Sequence, residues 1–407
     1  IRRAPQDALR GDSRSGTGRP ARRAQNVLVI TEIALTLLLL SGAGLMARTL
    51  IALRRVDPGF NPDHLLTAQI ALPDDAYPRA ARRIAFHREL MARTATLPGV
   101  RSVTIADEIP FGGRAGFAES FNIEGEPRVD WATGHAAMAL QVSTSFFHTL
   151  GVPLIRGRLP AEGDSDVVVI NRAMAAAFWP GGDPLHHRIS TLDEPKRPLQ
   201  IIGIVGDVHA AGVDRAERPS MYVPGVSSRH VSIAIRTSGD PLAIARDVRR
   251  IVAALDPGVA IYRFASMDQL IDASLGSRRL GLVMLASFAG FALLVAAIGV
   301  FGLLSFTVSR RTREIGVRTA LGAGPRDILR SVGSDGLTLL GAGIVLGLVG
   351  AVALTRFMAT LLFGVAPLDA VTLGAAASAV TLVAVLAAYL PIRRALRIDP
   401  LTALRTE

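Results

Sequence analysis

The sequence predicts a membrane α-helical protein: four transmembrane helices plus an α+β extracytoplasmic domain with two βαβ units and an inserted β-rich subdomain. Three observations predict it. Four apolar runs, Val27–Ala47, Leu280–Val308, Gly336–Thr355 and Ala370–Ile392, are each bounded by polar or charged residues. At a rise of about 1.5 Å, about 20 apolar residues cross a hydrocarbon core of about 30 Å. A soluble core helix rarely stays apolar all round for that length. A long polar stretch, residues 51–279, separates the first run from the other three. Within it, strand, amphipathic helix, Pro-Gly stop and strand occur in that order twice.

Residues 1–26 read as a cytoplasmic basic linker carrying Arg2, Arg3, Arg10, Arg14, Arg19, Arg22 and Arg23. Residue 1 is Ile, and no secretory signal precedes the first run. Pro5–Arg10 and Pro400–Arg405 share the pattern P-x-x-A-L-R. Together these lead us to expect another copy of the module upstream. Gly11–Ala21, rich in Gly, Ser and Arg, would be a disordered linker between copies. The first transmembrane helix is placed at 27–50. Its one charge, Glu32, has two readings. It is either an intramembrane carboxylate facing another helix or a path, or a group reaching back to the interface near the helix N-terminus.

The extracytoplasmic domain is placed at 51–279. Arg79–Leu97 sets Ile84, His87, Leu90, Met91 and Thr94 on one side of a helix, between strands Leu65–Leu72 and Val100–Ala106. Pro98-Gly99 stops it. Asp240 reads as an N-cap with Pro241 at N1, and Ile244, Val248, Ile251, Val252 and Leu255 follow at helical spacing. Strands Val231–Arg236 and Val259–Phe264 flank that helix. The two βαβ units are expected to join in one sheet framing the middle, 111–224. That middle reads as short strands and turns, with strands Val167–Ile170 and Ile201–Val208 and a short helix Asn171–Phe178.

The second transmembrane helix is placed at 280–308 and a cytoplasmic coupling loop at 309–335. Arg310–Leu321 reads as an amphipathic helix extending the second span. Gly322-Ala323-Gly324-Pro325 breaks it, and Pro325–Val332 starts another helix with Pro at N1. A charged helix–turn–helix between two spans suits a soluble partner; an inert basic anchor on anionic lipid would not need its glycine breaks. The third span (336–355), a short external loop (356–369), the fourth span (370–392) and a cytoplasmic tail (393–407) complete the chain. Arginines crowd the first segment, the loop (Arg310, Arg311, Arg313, Arg318, Arg326, Arg330) and the tail (Arg393, Arg394, Arg397, Arg405). The short loop after the third span has only Arg356 and Asp369. Short arginine-rich loops stay cytoplasmic, so both termini are inside and the large domain outside.

Composition excludes several classes. The chain of 407 residues has no cysteine, so disulfides, thiol catalysis and Cys metal sites are ruled out. A net charge of +11 would suggest nucleic acid in a soluble protein. Here much of the arginine flanks the spans, and the expected basic-face partner is the lipid bilayer. Lys196 is the sole lysine and no G-x-x-x-x-G-K-[ST] exists, so the chain has no P-loop for ATP. There is no G-x-S-x-G or H-E-x-x-H. His186-His187 and Asp207-Val208-His209 lack the convergence a metal needs. No catalytic, cofactor-binding or metal residue is expected, and no enzyme activity of its own.

Arg311-Thr312-Arg313-Glu314-Ile315-Gly316-Val317-Arg318-Thr319-Ala320-Leu321-Gly322-Ala323 resembles the loop between spans two and three of MacB/FtsX-like ABC transporter permeases. Val169–Ala175 with Phe178-Trp179-Pro180 resembles the β-rich subdomain of that family's periplasmic domain, and Pro391–Arg405 its C-terminal signature. The likeness covers nearly all of the chain from about Val27. The family pattern has Gly after its Asp-Pro-hydrophobic stretch, where this chain has His186.

The resemblance implies an inner-membrane permease working by mechanotransmission, for efflux or envelope transport. A separate ATP-binding subunit would dock under the loop, where Arg313, Glu314, Gly316, Arg318, Ala320, Leu321, Gly322 and Ala323 are the coupling residues. It implies a second permease module, as a homodimer or a tandem copy upstream, and a periplasmic adaptor as a further partner. The alternative is an FtsX-like membrane regulator of envelope processes without transport. A membrane-bound periplasmic enzyme is the remaining class, and the missing nucleophile, metal and acid/base set argues against it.

Overall fold

A computed structural model describes residues 18–113, 117–127, 135–192, 196–210, 212, 217–312, 314, 317–318, 321, 324–358, 364 and 369–396. It divides into two units, Ile1–Arg54 with Ser277–Glu407, and Arg55–Gly276. Helix α1 (Gly18–Arg54) begins inside the stretch expected to be linker. Ala21-Arg22-Arg23-Ala24-Gln25 are strong helix formers, and Pro20 sits in the first turn, where its missing N–H costs nothing.

In the second unit, β1 (Leu65–Ala71), α2 (Ala80–Ala95) and β2 (Val100–Ala106) form the first βαβ. The inserted middle supplies β3 (Phe117–Ile123), β4 (His135–Val142), α3 (Phe146–Leu150), β5 (Leu154–Gly157), β6 (Val167–Asn171), α4 (Arg172–Phe178), β7 (Arg188–Thr191), β8 (Leu199–Val205) and β9 (Ser220–Pro224). Then β10 (His230–Thr237), α5 (Ala245–Leu255) and β11 (Ala260–Ser266) make the second βαβ, followed by α6 (Met267–Ser274). Asp240 does cap its helix, accepting from Leu242 N–H at 3.0 Å, but the first turn Pro241–Ile244 is 3₁₀.

The two βαβ units interleave in the order β11-β1-β10-β2, every neighbour antiparallel. This is the split βαβ arrangement. On one face Leu66, Ile70, Ile105, Ile233 and Ile235 pack against Phe86 and Leu90 of α2 and Val248 and Val252 of α5. The middle is a closed sheet. Strand β4 pairs β3, β3 pairs β7, β7 pairs β8, β8 pairs β6, β6 pairs β9, and β9 returns in parallel to β4. Closure leaves that ring without an open edge. Its interior is filled by Phe121, Ile123, Val168, Ile170, Ile189, Ile201 and Met221.

In the first unit, α7 (Gly276–Arg310), α8 (Pro325–Met358) and α9 (Ala370–Ala395) join α1. Four helices are long and apolar enough to cross a membrane. Val29, Ile33 and Leu37 of α1 meet Ala296, Val300 and Leu304 of α7, Leu340 of α8, and Ala376 and Val380 of α9. Gly343 and Gly347 of α8 leave bare backbone for Ile33 and Leu37; a Cβ on either would come within 2.6 and 2.8 Å of those side chains. Small residues four apart are how membrane helices approach closely. Phe291 and Ile298 of α7 are 69% and 70% exposed, as lipid-facing residues should be. The Glu32 carboxyl faces α7 beside Val29, one turn toward the start of α1. It lies in the space a side chain on Gly299 would fill.

Candidate coupling site

The loop between spans two and three is positioned by the ends of α7 and α8. Arg311 N–H is shared between the carbonyls of Thr307 and Val308 (3.1 and 3.2 Å), and the Thr312 hydroxyl donates to Val308 and Ser309 carbonyls at 3.0 Å. Shared bonds tighten a helix end. The span therefore stops at Arg310, whose guanidinium stands 5.0 Å over the Phe306 ring, and does not run on to Leu321 as the pattern predicts. Thr312, Glu314, Val317 and Arg318 belong to a separate helical segment, closed by Leu321 N–H donating to Val317 at 3.0 Å.

Glu314 and Arg318 pair at 2.7 Å with both side chains half exposed. An i,i+4 pair of this kind contributes about 0.2–0.5 kcal/mol. Glu314 is thus held by its own helix rather than presented as a bare carboxylate. Val317 and Leu321, also four apart, are 39% and 82% exposed. Arg313, Gly316, Ala320, Gly322 and Ala323 lie outside the described residues. Beyond the break, α8 carries Pro325 as its first residue and runs without interruption into the third span. The two helices expected there are one. The Thr338 hydroxyl donates to the Ser334 carbonyl at 2.8 Å across Gly336, and Gly333 and Gly336 lower helix propensity without breaking the helix.

At the opposite end of the bundle the structure shows a tie that sequence reasoning missed. Asp369 caps α9, accepting from Thr372 N–H at 2.9 Å and from the Thr372 hydroxyl, and it pairs with Arg48 of α1. The Arg48 pair first, then the Thr372 hydroxyl, hold the Asp369 carboxyl down at about 2. An Asp three residues before a Thr at the start of an apolar run was the available signal.

The outer unit's polar clusters are structural joints. The Tyr77 hydroxyl donates to Asp256 at 2.8 Å; burial, then that hydrogen bond, push Tyr77 up to about 12. His87 is buried with Nδ1 at 3.1 Å from the Val226 carbonyl, and burial pushes it down. His209 Nε2 lies 2.6 Å from Glu217, and Gln200 faces His186 at 3.3 Å. Among the described residues no group of three or more His, Cys, Asp or Glu is placed to hold a metal.

Four apolar helices around a glycine-lined interface, an outer domain of split βαβ pairs with an inserted closed sheet, and a charged loop between spans two and three define one class of protein. The chain belongs to the MacB/FtsX-like permeases: the MacB-like periplasmic core domain family matches residues 50–266, and the FtsX-like permease C-terminal family matches residues 286–400. It is similar to the pyoverdine export ATP-binding/permease protein PvdT of Pseudomonas syringae pv. tomato, 30% identical over 52% of this chain and 33% of that one. It is similar also to the macrolide export ATP-binding/permease protein MacB of Azoarcus sp., 28% identical over 59% of this chain and 38% of that one. The chain thus spans well under half the length of either relative. The periplasmic region of MacB from Actinobacillus actinomycetemcomitans aligns with 56% of this chain and 97% of its own, at 16% identity and a TM-score of 0.37.

Proposed function

We propose that this chain is the permease component of an ABC transporter that acts by mechanotransmission at the inner membrane. An ATP-binding subunit or domain docks on residues 309–335. Its closure moves the second span, and the motion is delivered to the periplasmic domain, driving efflux or envelope transport. A second permease module completes the assembly, and a periplasmic adaptor is a further partner.

One observation supports this reading above the others. The chain enters the periplasmic sheet by β1, after the first span, and leaves it by β11, before the second. These are adjacent antiparallel strands, paired Leu66 with Ser266 at that end. The exit is stiff: Ser266 Oγ accepts from Gln269 N–H at 3.2 Å and Gln269 Oε1 accepts from Ser266 N–H at 3.1 Å, a capping box. Only Leu275 separates α6 from α7. In this reading, motion of the spans enters the periplasmic sheet through these two neighbouring strands.

The test is at the loop. Gly316→Trp, which would hold a partner away from the backbone, is expected to abolish association with the ATP-binding partner while leaving insertion intact. Glu314→Ala, which also removes the Arg318 pair within the segment, should weaken association less than Gly316→Trp does. Arg218→Ala in the outer domain is the control. Wild-type association of Gly316→Trp would overturn the docking assignment.

A further inference from the structure

We propose that Glu32 is a proton-binding site inside the membrane unit, seated against the backbone of Gly299. It would be approached through the cleft that Asn26, Thr307 and Thr338 line. The runs Val27–Ala47, Leu280–Val308, Gly336–Leu354 and Ala370–Ile392 contain one acidic residue, Glu32, and no basic one. Tyr389 is the other titratable side chain in them. No span can therefore supply Glu32 with a counter-charge.

The structure places the group where it needs one. Glu32 Oε2 is buried and has no hydrogen-bond partner among the described residues. Val29 and Gly299 flank it, and Ile33 on the next position of α1 is closed off by Gly343 of α8. The Thr36 hydroxyl donates to the Glu32 backbone carbonyl at 2.6 Å, so it is already engaged. Arg23 is nine residues away along α1, Arg48 sixteen, and Arg310 eleven residues from Gly299 along α7. At about 1.5 Å per residue these are separations of about 13, 24 and 16 Å along the helices. Glu32 as a whole is half-buried, yet a carboxylate oxygen closed off without a partner is costly, and an intramembrane acid is neutralised by a counter-ion or a proton. A metal cation needs several oxygen ligands. The geometry offers one carboxyl and a hydroxyl in use, which leaves the proton.

A route is present. A cleft of about 160 Å³ is lined by Asn26, Leu303, Leu304, Thr307, Gly336 and Thr338. Leu303 is one helical turn beyond Gly299, about 6 Å toward the arginine-rich loop. The carboxyl therefore lies one turn from a polar-lined opening on that side. When the proton leaves, the charge must draw water between α1 and α7, loosening the contact at Gly299. Occupancy of the site then sets how tightly the first two spans pack. This inference rests on the four-helix unit alone and stands whether or not an ATPase docks on the loop.

The test uses the full-length protein in lipid nanodiscs and dicyclohexylcarbodiimide, an apolar reagent for protonated carboxyls, with the site of reaction read by mass spectrometry. Glu32 should be modified, with yield falling from mildly acidic to mildly alkaline pH, while exposed Asp164 is not. Gly299→Ala should lower the yield at Glu32 by pushing the carboxyl from its seat. Because the chain has no cysteine, a second readout is free of background. A Gly42→Cys and Leu285→Cys pair, adjacent in the structure, should crosslink progressively less than the same pair carrying Glu32→Gln as pH rises, the Glu32→Gln protein correcting for the titration of the thiols themselves. No modification of Glu32 across this range, modification independent of pH, or a crosslinking ratio to the Glu32→Gln pair that does not change with pH overturns the proposal.

Discussion

At the residue scale, His186 stands where the family resemblance leads one to expect glycine, and its φ is +70°. A left-handed backbone costs a residue with a Cβ about 1–2 kcal/mol, and glycine gives back about 0.5–1 in chain entropy. His186→Gly is expected to stabilise the outer domain by about 0.5–1 kcal/mol, which is a rise of about 1–4 °C in Tm for a domain of this size. Thermal unfolding of the two proteins in the same detergent checks it; a lower midpoint for the glycine variant would sink the argument. Asp369 makes a second residue-scale prediction. Its folded value, about 2, lies below the ordinary 3.8. The stability it contributes is therefore present above the ordinary value and lost as pH falls from there toward 2. Asp369→Asn should lower stability at neutral pH, where the contribution is present, and converge on the wild type as pH falls toward 2, which flattens the acid limb of a stability-versus-pH curve. An unchanged acid limb would show that the Arg48 tie is not sensed. Neither residue's role was legible in composition. The His186 departure shows in the motif, but only the backbone angle gives it a cost, and Asp369 reads as a loop charge until Arg48 is seen across the bundle.

At the element scale, local signals were legible and long-range pairing was not. Strand β2 and the α2 stop at Pro98-Gly99 follow from alternation and turn chemistry, and α4 from its Asn171 cap, which accepts from Met174 N–H at 2.9 Å. Closure of the middle strands into a ring depends on parallel pairs β4–β9 and β6–β8, and no local pattern encodes these. Helix α3, with Phe146 and Phe147 buried, is too short to show a period. In the loop between spans two and three the charges and the Gly-Pro break were readable, but the end of α7 at Arg310 involves hydroxyl and amide bonds that return to the preceding turn. Packing between the spans yields a further prediction. Gly347→Leu should destabilise the bundle by about 1–3 kcal/mol through overpacking. Gly374→Leu, where nothing lies within 4 Å, should be near neutral. Equal midpoints for both variants in thermal denaturation would contradict the glycine-lined interface.

At the scale of the whole molecule, the arginine distribution predicts sidedness. Reporter fusions at Gly163 and Gly322 are expected to fall on opposite sides of the membrane; the same side for both would overturn the four-span topology. The strand order carries a consequence for biosynthesis. In β11-β1-β10-β2, the strands made before the inserted ring alternate with those made after it. Among the described residues, strand β1 pairs β10 and β11 and no other strand, and β2 has β10 along its length and a single pair with β4. As the nascent chain is exported in order, the ring can close while β1 and β2 are still waiting. The first strands therefore spend the passage of more than a hundred residues unpaired, at risk of joining the wrong neighbour. The slow step in maturation should be the insertion of β10 between two strands that have already crossed, and envelope chaperones that shield exposed strands should matter most in that interval.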